Sequence, residues 1–223
     1  MEFIRKLTAL FYPERCPYCS ALIEATQIAC ARCYDEIRRK HIPIPAGARG
    51  FRCISTFAYD GRVRRMILRL KYHDRTQYIP QIAELLRKDI QNAYSGEEFD
   101  FITAVPMYKN DLKKRGYNQS TLLAKELGKR LGLPYLDTID KIKKTKKQHH
   151  LKYQERKTNL NGAFKVIDKD AVTGKKILII DDIITSGYTL GNCCRVLSRA
   201  KPELICCATI ASAQNKYPES TVI

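Results

Sequence analysis

In this chain of 223 residues the apolar runs are short and acidic residues are few. The sequence also predicts no export signal. Its apolar runs, such as residues 177–180 and 204–210, fall far short of the roughly 18 residues that a transmembrane helix needs. The apolar stretch at residues 7–11 is too short for a secretory signal, and no small-residue cleavage site follows it. We therefore expect a cytoplasmic protein without stable membrane insertion.

Acidic residues are outnumbered by basic ones. Forty Lys and Arg against 23 Asp and Glu give a net charge of +17. The first 50 residues hold eight basic and five acidic residues, so most of the excess lies after them. Such a charge favours a polyanionic partner, namely nucleic acid, a phosphorylated metabolite or an anionic membrane. A merely solvated basic surface is the alternative. Hydrophobic residues make up 44% of the chain, as in a globular protein.

The nine cysteines are an odd number in a chain without an export signal, which argues against a disulfide framework. Four of them form two Cys-x-x-Cys knuckles ten residues apart: Cys16, Cys19, Cys30 and Cys33. This spacing predicts a structural Zn(Cys)4 site, and four protein ligands leave zinc no open position for catalysis. A thioredoxin-like redox pair would need a flanking βαβ pattern, which is absent. The other cysteines are predicted to be buried and inert: Cys53, Cys193, Cys194, Cys206 and Cys207.

Strands and helices alternate after the cysteine module. Apolar patterns predict strands at residues 51–59, 99–107, 177–180 and 204–210, and helices at residues 63–70, 79–90, 119–131 and 189–197. This alternation indicates an α/β fold, a parallel sheet with helices on both faces. Residues 42–47, with two prolines and a glycine, are predicted to be a linker. The predicted domains are a zinc module at residues 1–48 and an α/β domain at residues 49–223.

A phosphate site is predicted where the apolar strand at residues 177–180 meets Asp181 and Asp182. Ligands of open α/β sheets bind at the carboxyl ends of the strands. Two adjacent carboxylates can accept hydrogen bonds from two vicinal ribose hydroxyls. The following residues 185–189 offer hydroxyls, backbone N–H groups and a helix N-terminus to a phosphate, and Gly187 allows close approach. A helix cap with acidic residues in its first turn would explain only one aspartate.

Residues 177–189 resemble the signature of type I phosphoribosyltransferases, which bind 5-phosphoribosyl 1-pyrophosphate (PRPP) with Mg²⁺. The resemblance implies that Asp181 and Asp182 hold the ribose hydroxyls. It also implies that the loop holds the 5′-phosphate through Thr185, Ser186, Gly187, Tyr188 and Thr189. Tyr188 replaces the smaller residue common in that loop, so its side chain is expected to point away from the phosphate.

The order of motifs along the chain is similar to that of the ComF (ComFC) competence family. It comprises the cysteine knuckles, residues 70–72, Val105 with Pro106, residues 114–119, Thr145 with Gln148, and residues 156–164. Lysines stand where that family often has arginine before the Thr-x-x-Gln motif, which gives up bidentate phosphate binding. The resemblance implies a cytoplasmic role in handling incoming single-stranded DNA during natural transformation. Other DNA-uptake proteins are possible partners of the zinc module.

The clustered basic residues suit two roles, binding of pyrophosphate and binding of nucleic acid. On the pyrophosphate side of PRPP we place Lys71, Arg115, Gly116 and Asn118, close to the end of the strand at Val105. Residues 141–157 hold eight basic residues and one acid, and we expect nucleic-acid contacts from Lys143, Lys144, Lys146, Lys147, Lys152 and Arg156. Residues 141–148 are also placed to close over PRPP as a mobile loop, and a solvated loop is the bland alternative. The adjacent His149 and His150 are read as exposed, not as metal ligands.

Two functions remain open from the sequence. The first is a competence protein that handles single-stranded DNA and carries a PRPP and Mg²⁺ pocket. The second is an active phosphoribosyltransferase that transfers phosphoribose to an unidentified acceptor, with departure of pyrophosphate. No base-reading hood is evident after residues 204–210 or in the cysteine module, which favours the first function. Release of pyrophosphate from PRPP distinguishes the two.

Overall fold

The computed structural model describes residues 15–24, 27, 29–40, 44–144 and 162–214. The main sheet contains β1 (Ile44–Gly47), β2 (Arg52–Ala58), β3 (Phe101–Ala104), β6 (Lys176–Ile184) and β7 (Leu204–Ser212), in the order β1-β2-β7-β6-β3. β2, β7, β6 and β3 run parallel, and β1 pairs antiparallel with β2. A separate hairpin pairs β4 (Ile139–Lys141) with β5 (Phe164–Val166).

Six helices are described: α1 (Ala31–Lys40), α2 (Gly61–Tyr72), α3 (Ile79–Ala93), α4 (Lys109–Arg115), α5 (Gln119–Leu131) and α6 (Tyr188–Ser198). A 3-10 turn at Thr76–Tyr78 leads into α3. In the part of the chain that the structure describes, no helix has the length and apolar character needed to cross a membrane.

The helices cover both faces of the sheet, as predicted. Apolar side chains of α2, α3 and α5 pack on one face, where Leu178 and Ile180 point, and α6 packs on the other with Ile177 and Ile179. Successive side chains of a strand point to opposite faces, so a strand covered on both sides reads as an uninterrupted apolar run. The run in β6 was therefore a sound indicator of a central parallel strand.

The cysteine module packs directly on α2. Cys16, Tyr18, Cys33 and Ile37 belong to the same buried cluster as the apolar residues of α2. On the polar side, Arg62 of α2 forms a salt bridge with Glu36 at 2.5 Å. Arg69 of α2 donates a hydrogen bond to the carbonyl of Pro17 at 3.5 Å. The module and α2 therefore share one core, and two basic residues of this helix contact the module.

Two segments differ from the prediction. The predicted linker at residues 42–47 is wrong from Ile44 onward, because Ile44–Gly47 is a sheet strand in which Pro45 pairs with Ile54. Proline is tolerated there because β1 is an edge strand. Lys141, predicted to begin a mobile loop, ends β4 instead. Residues 109–115, for which no element was predicted, form the helix α4, which Gly116 ends with φ of 83°.

Candidate functional site

The predicted ribose-binding pair lies where β6 extends beyond its neighbour. β3 stops opposite Ile180, whereas β6 continues through Asp181 and Asp182 to Ile184, paired on its other side with β7. The N-terminus of α5 fills the space beyond β3, since its cap Asn118 donates to the carbonyl of Val105 at 2.9 Å. Both aspartates therefore lie at the carboxyl edge of the sheet, although within the strand and not after it.

Asp181 is half-buried, and its carboxylate oxygen Oδ1 has two donors. It accepts hydrogen bonds from the Ser120 hydroxyl at 2.8 Å and from the backbone N–H of Asp182 at 2.9 Å. Burial, and then the neighbouring charge of Asp182, raise the pKa of Asp181 to about 7, against the lowering effect of Lys71. This carboxylate therefore titrates near neutral pH.

Asp182 is buried, and each of its two carboxylate oxygens has a polar partner. Oδ1 forms a salt bridge with Nζ of Lys71 at 2.9 Å, and Oδ2 accepts a hydrogen bond from the Gln119 side chain. Burial opposes the charge on Lys71, but the attraction of Asp182 and Asp181 outweighs it and raises the pKa of Lys71. The buried ion pair of Lys71 and Asp182 thus links the last turn of α2 to the end of β6.

The predicted phosphate loop, residues 185–189, connects β6 to α6. Gly187 is the N-cap of α6 and has φ of 72°, a conformation that favours glycine. Tyr188 is buried in the core on the α6 face of the sheet, so its side chain is packed inward. The backbone of this turn therefore presents a helix N-terminus, with its N–H groups, beside the two aspartates.

The residues predicted for the pyrophosphate side surround the same edge. Lys71 pairs with Asp182, as described above, and Arg115 donates to the Gln119 side chain at 2.7 Å. Asn118 uses its side chain to cap α5, accepting from the backbone N–H of Ser120 at 3.1 Å, and Gly116 ends α4. The four are brought together around α5, but only Lys71 contacts an aspartate directly.

The residues predicted to contact nucleic acid are only partly described. Lys143 and Lys144 are exposed just after β4. Four others lie outside the described residues: Lys146, Lys147, Lys152 and Arg156. The same holds for Thr145, Gln148, His149 and His150. The half-buried Lys141 lies with Nζ 5.8 Å from the ring centre of Phe164, and burial lowers its pKa.

The four knuckle cysteines come together as predicted. Their sulfur atoms all lie within 4.8 Å of one another, and those of Cys19 and Cys30 are 3.5 Å apart. Tetrahedral zinc with bonds of about 2.3 Å would separate its sulfur ligands by about 3.8 Å. Burial opposes ionisation, but hydrogen bonds from the backbone of Ala21 and from neighbouring thiols lower the pKa of Cys19 to about 7. Arg62 donates to the sulfur of Cys33 at 3.4 Å. The cluster could hold a metal ion, with Arg62 as an outer hydrogen-bond donor.

Three residues of the site were given no role from the sequence: Gln119, Ser120 and Arg49, of which Gln119 lies within the motif at residues 114–119. Gln119 and Ser120 follow the cap of α5, and neither the motif at residues 114–119 nor the helix start predicted their contacts with the aspartates. Arg49 lies just after the predicted linker at residues 42–47, and its Nε donates to the carbonyl of Ser186 at 3.0 Å. Contacts between residues so distant in sequence leave no local pattern to detect.

Comparison with known proteins agrees with this site. The model of the phosphoribosyl transferase domain matches residues 72–222, which include both aspartates and the loop. The chain is 29% identical to the DNA utilization protein YhgH of Salmonella typhimurium, over 82% of this chain and 78% of that protein. It is 30% identical to Competence protein F of Haemophilus influenzae, over 63% of each chain. These relatives confirm the resemblance to the ComF family.

A solved adenine phosphoribosyltransferase from Thermoanaerobacter pseudethanolicus is 18% identical, with a TM-score of 0.41 over 80% of this chain and 99% of that one. So low a score adds nothing to the match with the domain. That match alone covers well over half of the chain, and it contains the strand, the two aspartates and the loop described above. The chain belongs to the phosphoribosyl transferase domain family.

Proposed function

We propose that this protein binds PRPP with Mg²⁺ at the edge formed by Asp181, Asp182 and residues 185–189. We propose further that it acts in the cytoplasm in handling incoming single-stranded DNA. The observation that carries the proposal is the placement of two acids and a helix N-terminus at one sheet edge, inside the matched domain. The names of the relatives, DNA utilization protein and Competence protein F, support the biological role.

Within this pocket the residues take distinct parts. The half-buried Asp181 accepts hydrogen bonds from the ribose hydroxyls, and the loop after it donates N–H groups to the 5′-phosphate. Lys71 neutralises the buried Asp182 and lies where it can also attract the pyrophosphate. Mg²⁺ prefers oxygen ligands, and Asp181 together with pyrophosphate oxygens provides them. When bound, the ion neutralises part of the pyrophosphate charge.

The cysteine cluster is proposed to hold one structural zinc ion. Four thiolates and no water make a closed site, which suits a structural and not a catalytic ion. Because the cluster shares a core with α2, and Lys71 lies in the last turn of α2, the metal would stabilise the helix that supplies this lysine. Partner proteins would contact the outer face of the module, where Tyr34 is exposed.

A surface beside the pocket suits single-stranded DNA. Tyr72 is 58% exposed at the end of α2, and the guanidinium of Arg115 lies 5.4 Å from its ring centre. The neighbouring Arg75, Lys113 and Lys114 are exposed and form no ion pair with another described residue. Exposed aromatic rings stack on unpaired bases, and lysine and arginine neutralise phosphates. We call Tyr72, Arg75, Lys113, Lys114 and Arg115 the Tyr72 surface.

The experiment measures fluorescence anisotropy of a labelled oligothymidylate at several salt concentrations. Tyr72→Ala is expected to weaken binding about tenfold, and a Lys113→Ala, Lys114→Ala variant to reduce the salt dependence by about one counterion per lost contact. Tyr34→Ala, which removes another exposed tyrosine, is the matched control and should bind as the wild type does. An affinity for the oligothymidylate that changes neither with the salt concentration nor in Tyr72→Ala would contradict the proposed DNA-binding surface.

The second candidate, transfer of phosphoribose to an acceptor, is favoured by the domain match itself. Pyrophosphate released from PRPP is measured with and without added nucleophiles, including DNA ends. Release that depends on one acceptor and disappears in Asp181→Asn supports the enzyme. PRPP binding without any release supports PRPP as a ligand or regulator of the DNA-handling protein.

A further inference from the structure

Arg49 lies against the phosphate loop on two sides. Its Nε donates to the carbonyl of Ser186 at 3.0 Å, and its guanidinium lies 3.8 Å from the ring centre of Tyr188. A flat guanidinium can stack on an aromatic ring while it donates a hydrogen bond in its own plane, which lysine cannot do. One side chain thus contacts the residues immediately before and after Gly187.

The backbone around Arg49 also approaches the loop closely. A Cβ atom at Gly187 would lie 2.2 Å from the carbonyl oxygen of Gly47, and one at Gly191 would lie 2.8 Å from Cβ of Arg49. Only glycine fits at both positions without a shift of the backbone. Residues 47–49 therefore lie directly on the loop and on the first turn of α6.

This segment is itself held in place. The Gln214 side chain accepts from the backbone N–H of Gly47 at 2.8 Å and donates to its carbonyl at 2.9 Å. Just after β1, Arg49 adopts φ of 58°, a left-handed conformation that costs a residue with a side chain about 1 kcal/mol or more. Such strain persists where the surrounding contacts enforce it, and it concentrates at functional sites.

Burial of the side chain does not explain the left-handed backbone of Arg49 or its contacts with the loop, because Arg49 is exposed. Its side chain contacts the loop at Ser186 and at Tyr188, and it supplies a hydrogen-bond donor to the Ser186 carbonyl. A carbonyl turned toward a phosphate would repel it, whereas N–H groups attract it. The orientation of the loop backbone therefore depends on the partner that this carbonyl finds.

We propose that Arg49 is a positioning residue for the phosphate loop, holding Ser186 and Tyr188 so that the backbone N–H groups after Gly187 stay directed at a sugar 5′-phosphate. The inference rests on the proposed function, because it names a phosphorylated pentose as the ligand. In this role Arg49 acts through its contacts with Ser186 and Tyr188 and not through a contact with the ligand. It therefore affects the phosphate half of the site and not the pyrophosphate half around Lys71.

The test titrates ribose 5-phosphate and inorganic pyrophosphate separately into the full chain. Arg49→Ala is expected to weaken ribose 5-phosphate binding about tenfold and to change pyrophosphate binding less than about twofold. Arg49→Lys should behave like Arg49→Ala, because lysine keeps the charge but loses the planar stack. Arg64→Ala, which removes an exposed arginine of α2, is the control and should bind both ligands as the wild type does. Wild-type affinity in Arg49→Lys would overturn the proposal, since charge alone would then suffice.

Hydrogen exchange in the ligand-free chain gives a second readout, independent of ligand binding. We expect faster exchange of the backbone amides of residues 186–190 in Arg49→Ala and Arg49→Lys, and no change in Arg64→Ala. Faster exchange in a protein that does not bind ribose 5-phosphate would support Arg49 as the positioning residue while refuting the proposed ligand. Unchanged exchange together with unchanged affinity would overturn the inference and leave the proposed function intact.

Discussion

At the scale of single residues, Asp181 bears a charge that its surroundings disfavour. Burial and the adjacent Asp182 raise its pKa to about 7, from an ordinary value of 3.8. The folded protein therefore holds a proton on this residue between these two values that the unfolded chain has released. The contribution of Asp181 to stability falls as the pH rises through this window. A carboxyl group whose ionisation is disfavoured to this extent is expected at a binding site.

Replacing Asp181 by asparagine should therefore stabilise the protein at pH 8. Asparagine keeps an acceptor for Ser120 but carries no charge. We expect a gain of roughly 1–2 kcal/mol at pH 8, after allowance for residual solvent contact, that shrinks toward pH 5. Urea denaturation at the two pH values measures it. A loss of stability at pH 8 would mean that Asp181 is not the disfavoured charge we describe.

Lys71 stabilises the folded protein, because its positive charge compensates the buried negative charge of Asp182. Lys71→Met should destabilise the protein by about 3 kcal/mol, since Asp182 would be left buried without its cation. The double variant Lys71→Met, Asp182→Asn should recover much of this loss, and a double-mutant cycle by denaturation gives the coupling. A double-variant loss equal to the sum of the losses in Lys71→Met and in Asp182→Asn would show that the pair is not coupled.

Among the helices and strands, those whose bounds depend on neighbouring residues in the sequence were predicted best. The bounds of α5 followed from its periodicity and from Gly132, which ends it with φ of 70°. The pairing of β1 with β2 was missed because two prolines in and before β1 are typical of a linker, and only the edge position makes Pro45 acceptable. The β4–β5 hairpin was missed because its strands are far apart in sequence.

The same division applies to the site. Asp181, Asp182 and the loop stand in one continuous motif, so the sequence was sufficient to select them as candidates. Gln119 and Ser120 reach the aspartates only because α5 packs beside β6, and such packing is not encoded in any short pattern. A polar residue at a helix start is more often a simple cap than a partner in a binding site.

Gly187 allows a prediction about the loop as an element. Gly187→Ala combines a strained φ of 72° with a contact of 2.2 Å to the carbonyl of Gly47, so it should destabilise the protein and weaken phosphate binding. Gly174→Ala is the matched control, because Gly174 has φ of 69° but nothing within 4 Å of an added Cβ. The control should cost only the backbone strain, about 1 kcal/mol. Equal melting temperatures for the two variants would contradict the close approach of residues 47–49.

At the scale of the whole molecule, the cysteine module and the α/β domain share a core through α2. This packing explains how a small module could be needed for a distant pocket, since α2 runs from Arg62 at the cysteine cluster to Lys71 at Asp182. The net charge of +17 suits the proposed binding of PRPP and of single-stranded DNA, which are both polyanions.

Removal of the metal should therefore affect the whole molecule. We expect one zinc ion per chain by elemental analysis, and a melting temperature lowered by at least about 5 °C after chelation. Cys19→Ser should lose the metal, whereas Cys53→Ala, which removes a buried cysteine of β2, should retain it. A metal-free protein with an unchanged melting temperature would contradict a structural role for the cluster.

Calorimetric titration with PRPP and Mg²⁺ measures whether the edge around Asp181 is a PRPP site. We predict one site per chain, with binding at least about tenfold weaker in Asp181→Asn and unchanged in Asp35→Asn, an exposed acid of α1. Because Asp181→Asn is expected to be more stable than the wild type at pH 8, lost binding could not be attributed to unfolding. A wild-type protein that does not bind PRPP, or an Asp181→Asn variant that binds it equally well, would contradict the account.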